Sequence, residues 1–320
     1  MRVSLIVTIK NEAESIRRLL DSVAAQSCAP DEIVIVDGGS TDGTLETLRK
    51  NPWGLSLRVI ESPGANISQG RNAAIGAATG TVICSTDAGV WLEPDWVKTL
   101  IAPLAGRSSS ADVVSGFFVP DPHGAFETAL AATTLPALAD IHPEKFQPSS
   151  RSIAFRKAAW EKVQGYPEWL DYCEDLLFDF ALRDAGYRFA FAPGAVAHFR
   201  PRANLRAFFK QYYRYARGDG KANLFFKRHL IRYATYWIAL PLVVLLTIFA
   251  PLVSLPLWAL AAVFMFFTPY KRLMPMLRAL NWIERLSAIG WVPVIRVTGD
   301  MAKMIGYPVG VVWRTKHRKE

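Results

Sequence analysis

Only three cysteines occur in the 320 residues, Cys28, Cys84 and Cys173, scattered, odd in number and without metal-ligand spacing. This excludes a disulfide framework and fits a reducing compartment. The first apolar run, residues 3–9, ends in Lys10-Asn11-Glu12 with no glycine, so the G-x-G-x-x-G of a Rossmann dinucleotide site is absent. The G-x-x-x-x-G-K-[ST] of a P-loop is absent too. Acids are scarce late in the chain. Residues 200–320 hold 20 Lys+Arg and 4 Asp+Glu, a net of +16, whereas residues 1–199 hold 17 and 24, a net of −7. Such asymmetry suggests an anionic surface as the partner of the second part. Charge of either sign is missing from residues 233–270, a run of 38, which is too long for a buried core helix. No signal peptide is expected, because Met1-Arg2 leads directly into a strand-like run.

What is present alternates. Residues 3–9 read as a strand, and Ile16, Leu19, Leu20 and Val23 give the spacing of a helix face. Residues 32–36 read as a second strand, ending in Asp37-Gly38-Gly39-Ser40-Thr41-Asp42-Gly43-Thr44. A helix over 45–49 and a strand over 57–60 follow, then a polar loop over 64–71 and a small-residue helix over 72–78. Val82, Ile83 and Cys84 begin a further buried strand that ends on Asp87-Ala88-Gly89. Strands alternating with helices predict a parallel, doubly wound sheet. Its strand ends near Lys10, Asp37 and Asp87 should meet in one crevice. Asp87 is then either a turn residue or a carboxylate facing a bulky polar ligand. Further on, residues 113–119 read as a strand and 126–138 as an Ala-rich helix. Residues 153–156 read as another strand, followed by the turn Gly165-Tyr166-Pro167. Glu174 and Asp175 stand at a helix start, where the helix dipole alone favours acids. His198 follows a strand over 188–193.

Four stretches, in this order over residues 3–96, resemble the inverting family 2 glycosyltransferases of the GT-A fold. They are Val3-Ser4-Leu5-Ile6-Val7-Thr8-Ile9-Lys10-Asn11-Glu12, the Asp37 to Thr44 loop, Ser68-Gln69-Gly70-Arg71-Asn72, and Gly80-Thr81 through Asp87-Ala88-Gly89. The resemblance implies an α/β fold with a GT-A-like doubly wound mixed sheet, followed here by a C-terminal hydrophobic helical region. It implies a nucleotide-sugar donor, UDP- or GDP-linked, bound by Thr8, Lys10, Asn11, Glu12, Asp37, Arg71 and Asp87. The Arg71 guanidinium would pair with the diphosphate or a base carbonyl. Gly165-Tyr166 followed by Glu174-Asp175 implies Asp175 as the general base, with Glu174 supporting it. A divalent metal, Mg or Mn, is expected at Asp87, with His198 as a further ligand or a diphosphate contact. The departures from the family pattern are Gly38 for a second carboxylate that commonly reads the nucleobase, Lys10 for an aromatic, and Gly89 for the usual metal-binding Asp. A hard cation wants several oxygen ligands, and this chain offers fewer. A nucleotidyltransferase of sugar phosphates, or an inactive nucleotide-sugar-binding homologue, remain the alternatives.

Residues 200–232 hold ten Lys or Arg and one acid, Asp219, interleaved with Phe and Tyr. Nucleic acid binds such stretches, but an apolar segment follows at once, so a cytoplasmic membrane interface is expected and no nucleic acid. Gln211-Tyr212-Tyr213-Arg214-Tyr215 is similar to the Gln-x-x-Arg-Trp motif of membrane glycosyltransferases, which implies that Gln211 and Arg214 hold the acceptor end or the diphosphate. The other reading is an amphipathic interfacial helix. Pro251 and Pro256 predict a hairpin of two spans over 233–250 and 254–270, with Lys227, Arg228, Arg232, Lys271, Arg272 and Arg278 keeping both ends cytoplasmic; the alternative is a re-entrant or interfacial pair that does not cross fully. Residues 289–313, with Arg296, Asp300 and Lys303 near one face, should lie in the interface or pack on the hairpin. The tail, Arg314, Lys316, Arg318 and Lys319, should rest beside anionic headgroups. The expected organisation is a catalytic domain over 1–200, basic interfacial helices over 201–232, the hairpin over 233–270 and amphipathic helices with the tail over 271–320. The acceptor expected at such a membrane is lipid-linked or a glycan.

Overall fold

Apolar runs of strand length, each followed by a helix with one apolar face, close into an eight-stranded sheet. The computed structural model describes residues 1–106 and 111–317, so Arg318 and Lys319 of the basic tail lie outside the described residues. The chain forms two compact units, Met1–Asp121 with Leu138–Phe199, and Pro122–Ala137 with the chain from Arg200 onward. The second unit takes residues 122–137 as well as the chain from Arg200 onward. The Ala-rich helix expected over 126–138 is Gly124–Thr134 and belongs there.

In the first unit the strands are β1 (Val3–Ile9), β2 (Glu32–Asp37), β3 (Leu57–Glu61), β4 (Val82–Asp87), β5 (Val90–Leu92), β6 (Val113–Pro120), β7 (Ile153–Arg156) and β8 (Phe189–Phe199). Their order is β3-β2-β1-β4-β7-β6-β8-β5. The first four are parallel, and β7 joins β4 antiparallel, so the sheet is mixed as expected. Both faces are covered, which is why β2 is buried at every position. Helix Ser15–Ala24 turns Ile16, Leu19, Leu20 and Val23 inward at the predicted spacing. Glu32 ties the sheet together at the amino ends of its strands. Its Oε1 accepts from Ser4 Oγ at 2.6 Å and from Thr79 N at 2.6 Å, and Ser4 Oγ in turn accepts from Gly80 N at 2.8 Å.

Two elements begin or end elsewhere than predicted. The small-residue helix runs Ile67–Ala77, starting five residues before the expected 72, because Asn66 caps it: its side chain accepts from Gln69 N while Gln69 reaches back to Asn66 N. The strand expected over 188–193 continues to Phe199 and carries His198 into the ladder, opposite Trp91 of β5.

The second unit is helical. Two of its helices, Phe226–Phe249 and Pro251–Ala279, are long and apolar enough to cross a membrane. They meet at Ala250, whose extended φ of −146° breaks the path. Pro251 occupies the first turn, where its missing N–H costs nothing, and Pro256 lies inside the second helix instead of interrupting it. The segment expected to lie in the interface or on the hairpin is part of one helix of 36 residues, Trp282–His317. It packs chiefly against helix Leu205–Lys221. Small residues permit this approach. A Cβ on Gly306 would stand 2.2 Å from the Tyr213 carbonyl oxygen, and one on Gly310 2.1 Å from that of Arg217. Gly306→Ala is therefore expected to destabilise the full chain in detergent by about 1–3 kcal/mol. Gly290→Ala, on the same helix with nothing within 4 Å, should not lower the melting temperature.

Candidate active site

Strand register brings the expected residues to one end of the sheet. Thr8 pairs with Asp87 across β1 and β4, and Ile9 with Asp37 across β1 and β2. Asp37 is buried, and its carboxylate holds its own loop: Oδ2 accepts from Gly39 N at 3.0 Å and Ser40 N at 2.9 Å, and Oδ1 accepts from the Ser40 hydroxyl. Asn11, in a left-handed conformation at φ 58°, latches onto that loop. Its N–H donates to Ser40 Oγ at 2.8 Å and its Oδ1 accepts from Thr41 N at 2.8 Å. Glu12 N donates to Thr44 Oγ1 at 2.9 Å, and the Glu12 carboxylate accepts from the Ser15 hydroxyl. Asn11, Glu12 and Asp37 thus brace the rim of the crevice, while Lys10 stands exposed beside Gly38.

The floor is built on Arg71. Its side chain is 4% exposed, yet its guanidinium spans two elements, Nη1 lying 2.5 Å from Glu174 Oε1 and Nη2 3.2 Å from Asp87 Oδ1. Its helix is fixed from both sides. Gly70 lets it sit against Thr8, whose Cγ2 would be 2.9 Å from a Cβ there. Ser68 Oγ donates to the Leu170 carbonyl at 2.9 Å. Asn72 holds the turn before the second acidic pair: Oδ1 accepts from Tyr166 N at 2.9 Å and Trp160 Nε1 at 3.0 Å, and Nδ2 donates to the Tyr166 carbonyl at 2.8 Å. Gly165, at φ 79°, is required in that turn, since a Cβ would stand 2.6 Å from Asn72 Oδ1. The chain then enters helix Glu174–Asp184.

Three carboxylates start that helix or lie one turn along it. Burial pushes Glu174 up to about 7 against the pull of Arg71. Burial also raises Asp175, whose Oδ1 accepts from Leu176 N at 2.9 Å. Asp179 is buried with Oδ2 unpartnered, and burial raises it well above the carboxylate range. Burial opposes the charge on Arg71 as well, but Glu174 and Asp87 more than offset it and its pKa rises.

A second cation, Arg151, reaches Asp87 from the start of β7, its Nε 3.4 Å from Oδ2. No motif marks it in the sequence. Tyr166, whose ring lies 5.4 Å from the Arg71 guanidinium, and Asn72 sit in stretches the sequence does mark, but their contacts are tertiary. His198 has other partners. It stacks on Trp91 at 3.7 Å, and its Nε2 lies 2.7 Å from Glu93 Oε1, a partner supplied by the β5–β8 pairing. Among the described residues no group of three His, Cys, Asp or Glu is placed to hold a metal ion. The donor set expected for Mg or Mn, Asp87 with His198, does not fit such an ion on its chemistry: Asp87 pairs with Arg71 and Arg151, His198 pairs with Glu93, and Gly89 adds no side-chain oxygen. Gln211 lies in helix Leu205–Lys221 of the second unit, where its Nε2 donates to the Tyr215 hydroxyl at 2.8 Å, and Arg214 lies one turn further along the same helix.

A mixed sheet with acids at the carboxyl ends of its parallel strands, facing a second acidic pair at a helix start, defines a GT-A glycosyltransferase fold. The chain is similar to glycosyl transferase family 2: that family's model matches residues 4–159, and the model of glycosyl transferase family group 2 matches residues 146–270. The O-antigen chain rhamnosyltransferase RfbN of Salmonella typhimurium is 24% identical over 226 residues, 67% of this chain and 71% of that protein. The succinoglycan biosynthesis protein ExoA of Rhizobium meliloti is 28% identical over 236 residues, 68% of each. Among solved structures, the mannosyltransferase PcManGT from Pyrobaculum calidifontis, in complex with GDP-Man and Mn2+, shares the fold with a TM-score of 0.53 at 21% identity, covering 100% of this chain and 88% of that one.

Arg71→Met leaves Glu174 buried without its cation. A loss of about 3–5 kcal/mol in thermal stability is expected, and Arg71→Lys should recover part of it.

Proposed function

We propose that this glycosyltransferase moves a sugar, with inversion, from a nucleotide-sugar donor to a lipid-linked or polysaccharide acceptor at the cytoplasmic face of a membrane. The observation that carries the reading is the Arg71 guanidinium, which bonds Asp87 at the end of β4 and Glu174 at the start of the facing helix. This bond links the donor-side acid to the residue beside the proposed base, which supports one shared site. Asp175 takes the proton of the acceptor hydroxyl as that oxygen attacks the anomeric carbon. The bond from that carbon to the diphosphate oxygen breaks on the opposite side, the configuration inverts, and nucleoside diphosphate leaves. Burial raises the pKa of Asp175, which makes its ionised form a stronger base than an ordinary carboxylate. Glu174, fixed by Arg71, orients the helix start. Cationic side chains at Asp87 meet the charge of the leaving group.

The related proteins support the substrate class. One relative is an O-antigen chain rhamnosyltransferase, another a succinoglycan biosynthesis protein, and the structural neighbour holds GDP-Man. A UDP- or GDP-linked donor and a growing glycan are the corresponding assignments here. Membrane attachment is supported by the two apolar helices, which expose Leu252 at 82% and Phe264 at 88%. Lipid is the solvent that removes this penalty. The basic residues at 227, 228, 271 and 272 favour cytoplasmic ends.

A panel of nucleotide sugars, offered with membrane extract and scored for nucleoside diphosphate release, tests the reading. Asp175→Asn should lower release by about 10²–10⁴-fold while donor binding persists. The base must be ionised, so release should fall as pH drops through the raised Asp175 pKa and level off above it. Near-normal turnover by Asp175→Asn would remove the base assignment, and release of pyrophosphate would replace glycosyl transfer with nucleotidyl transfer.

A further inference from the structure

A divalent ion at a diphosphate is usually held by one or two carboxylates together with the phosphate oxygens. Here a single strand-end carboxylate, Asp87, is offered, and both its oxygens face guanidinium groups, Arg71 at 3.2 Å and Arg151 at 3.4 Å. A metal ion on Asp87 would lie close to two positive charges that already occupy that carboxylate, and like charges in a partly buried site repel strongly. Packing does not impose the missing acid. A Cβ on Gly89 would meet nothing within 4 Å, and its backbone is outside the left-handed region. The site therefore offers the fewest carboxylates that such an ion uses, and cations already occupy the one it has.

The two arginines differ in what they are free to do. Arg71 is locked, with its other nitrogen on Glu174. Arg151 is 21% exposed and meets Asp87 through one long contact. Its guanidinium lies over the Phe199 ring at 4.2 Å and the Phe118 ring at 5.5 Å. Those faces strip water from the cation and fix its plane, while its N–H edges point along the plane. A planar fork of this kind matches two phosphate oxygens.

We infer that the site holds the donor's diphosphate without a divalent cation, Arg151 supplying beside Asp87 the positive charge that a metal ion would supply. The inference rests on the donor-binding reading above. When a nucleoside diphosphate arrives, Arg151 exchanges its long contact with Asp87 for paired hydrogen bonds to phosphate oxygens. Arg71 meanwhile keeps Asp87 and Glu174 in place. Charge growing on the departing diphosphate oxygen then meets a cation that is already partly dehydrated.

The test is calorimetric titration of the full chain in detergent with UDP, GDP, CDP, ADP and dTDP in turn, once in EDTA and once with Mn2+. For the nucleotide that binds, the dissociation constants in the two buffers should agree within threefold. Arg151→Ala should weaken binding in EDTA tenfold or more, and Arg151→Lys, which keeps the charge but not the fork, should fall between. Binding by the unaltered chain that tightens threefold or more with Mn2+, or is lost in EDTA, overturns the inference and leaves the donor site standing. So does Arg151→Ala binding in EDTA within tenfold of the unaltered chain. If none of the five nucleotides binds in either buffer, the donor-site reading itself fails and the inference falls with it.

Discussion

A guanidinium withdrawn from water as far as that of Arg71 needs counter-charges placed to match its fork, because an unpaired buried charge would cost the fold several kcal/mol. Asp87 and Glu174 are those counter-charges, and meeting that demand sets the geometry of the site. Asp87 is carried by a strand, Glu174 by a helix start, and Arg71 by a second helix. One ion-pair network thus fixes three elements before any substrate arrives, which is what a preorganised site requires. The scaffolding behind it serves the same end. Asn72 and Gly165 shape the turn that delivers Glu174, and Gly70 lets the Arg71 helix close on Thr8.

The surplus of acid in this network has a consequence for its chemistry. Asp87, Glu174, Asp175 and Asp179 outnumber Arg71 and Arg151, and three of the four acids are raised by burial. Asp179 in particular has an oxygen with no partner. The base and its neighbours therefore interact, and the helix start is a group of linked acids rather than one isolated residue.

Much of this was legible in the sequence. The β-branched runs and the 16, 19, 20, 23 spacing identify β1 to β4 and their first helix, because both signals are local and strongly periodic. Asp87, Arg71, Glu174 and Asp175 fall together as the motifs imply. The helix start at Ile67 is obscured by Ser68, Gln69 and Gly70, which dilute its apolar period, although Asn66 and Gln69 spell a capping box. The fate of His198 is not legible, since Trp91 and Glu93 reach it only through the pairing of β5 with β8. Arg151 is unmarked for the same reason: its place beside Asp87 follows from β7 joining β4 antiparallel, a choice made by the sheet and not by the segment. One proline misled as well. Pro256 reads as a break, yet it lies inside a helix.

The two units answer to different solvents, and their composition follows. The first carries net negative charge and hides its hydrophobic residues on both faces of a sheet, as water demands. The second carries net positive charge and leaves Leu252 and Phe264 almost wholly uncovered. Exposed apolar surface alone gives two helices no reason to choose one partner, so specificity within that unit has to come from shape. The close contacts at Gly306 and Gly310 supply it, because only small residues let the backbone of Trp282–His317 approach that of Leu205–Lys221 so nearly. Charge adds a second constraint at the same helix: Asp300 lies 2.7 Å from Arg232, and the Tyr236 hydroxyl donates to it at 3.2 Å, which fixes the rotation of Trp282–His317 where apolar packing alone would let it turn.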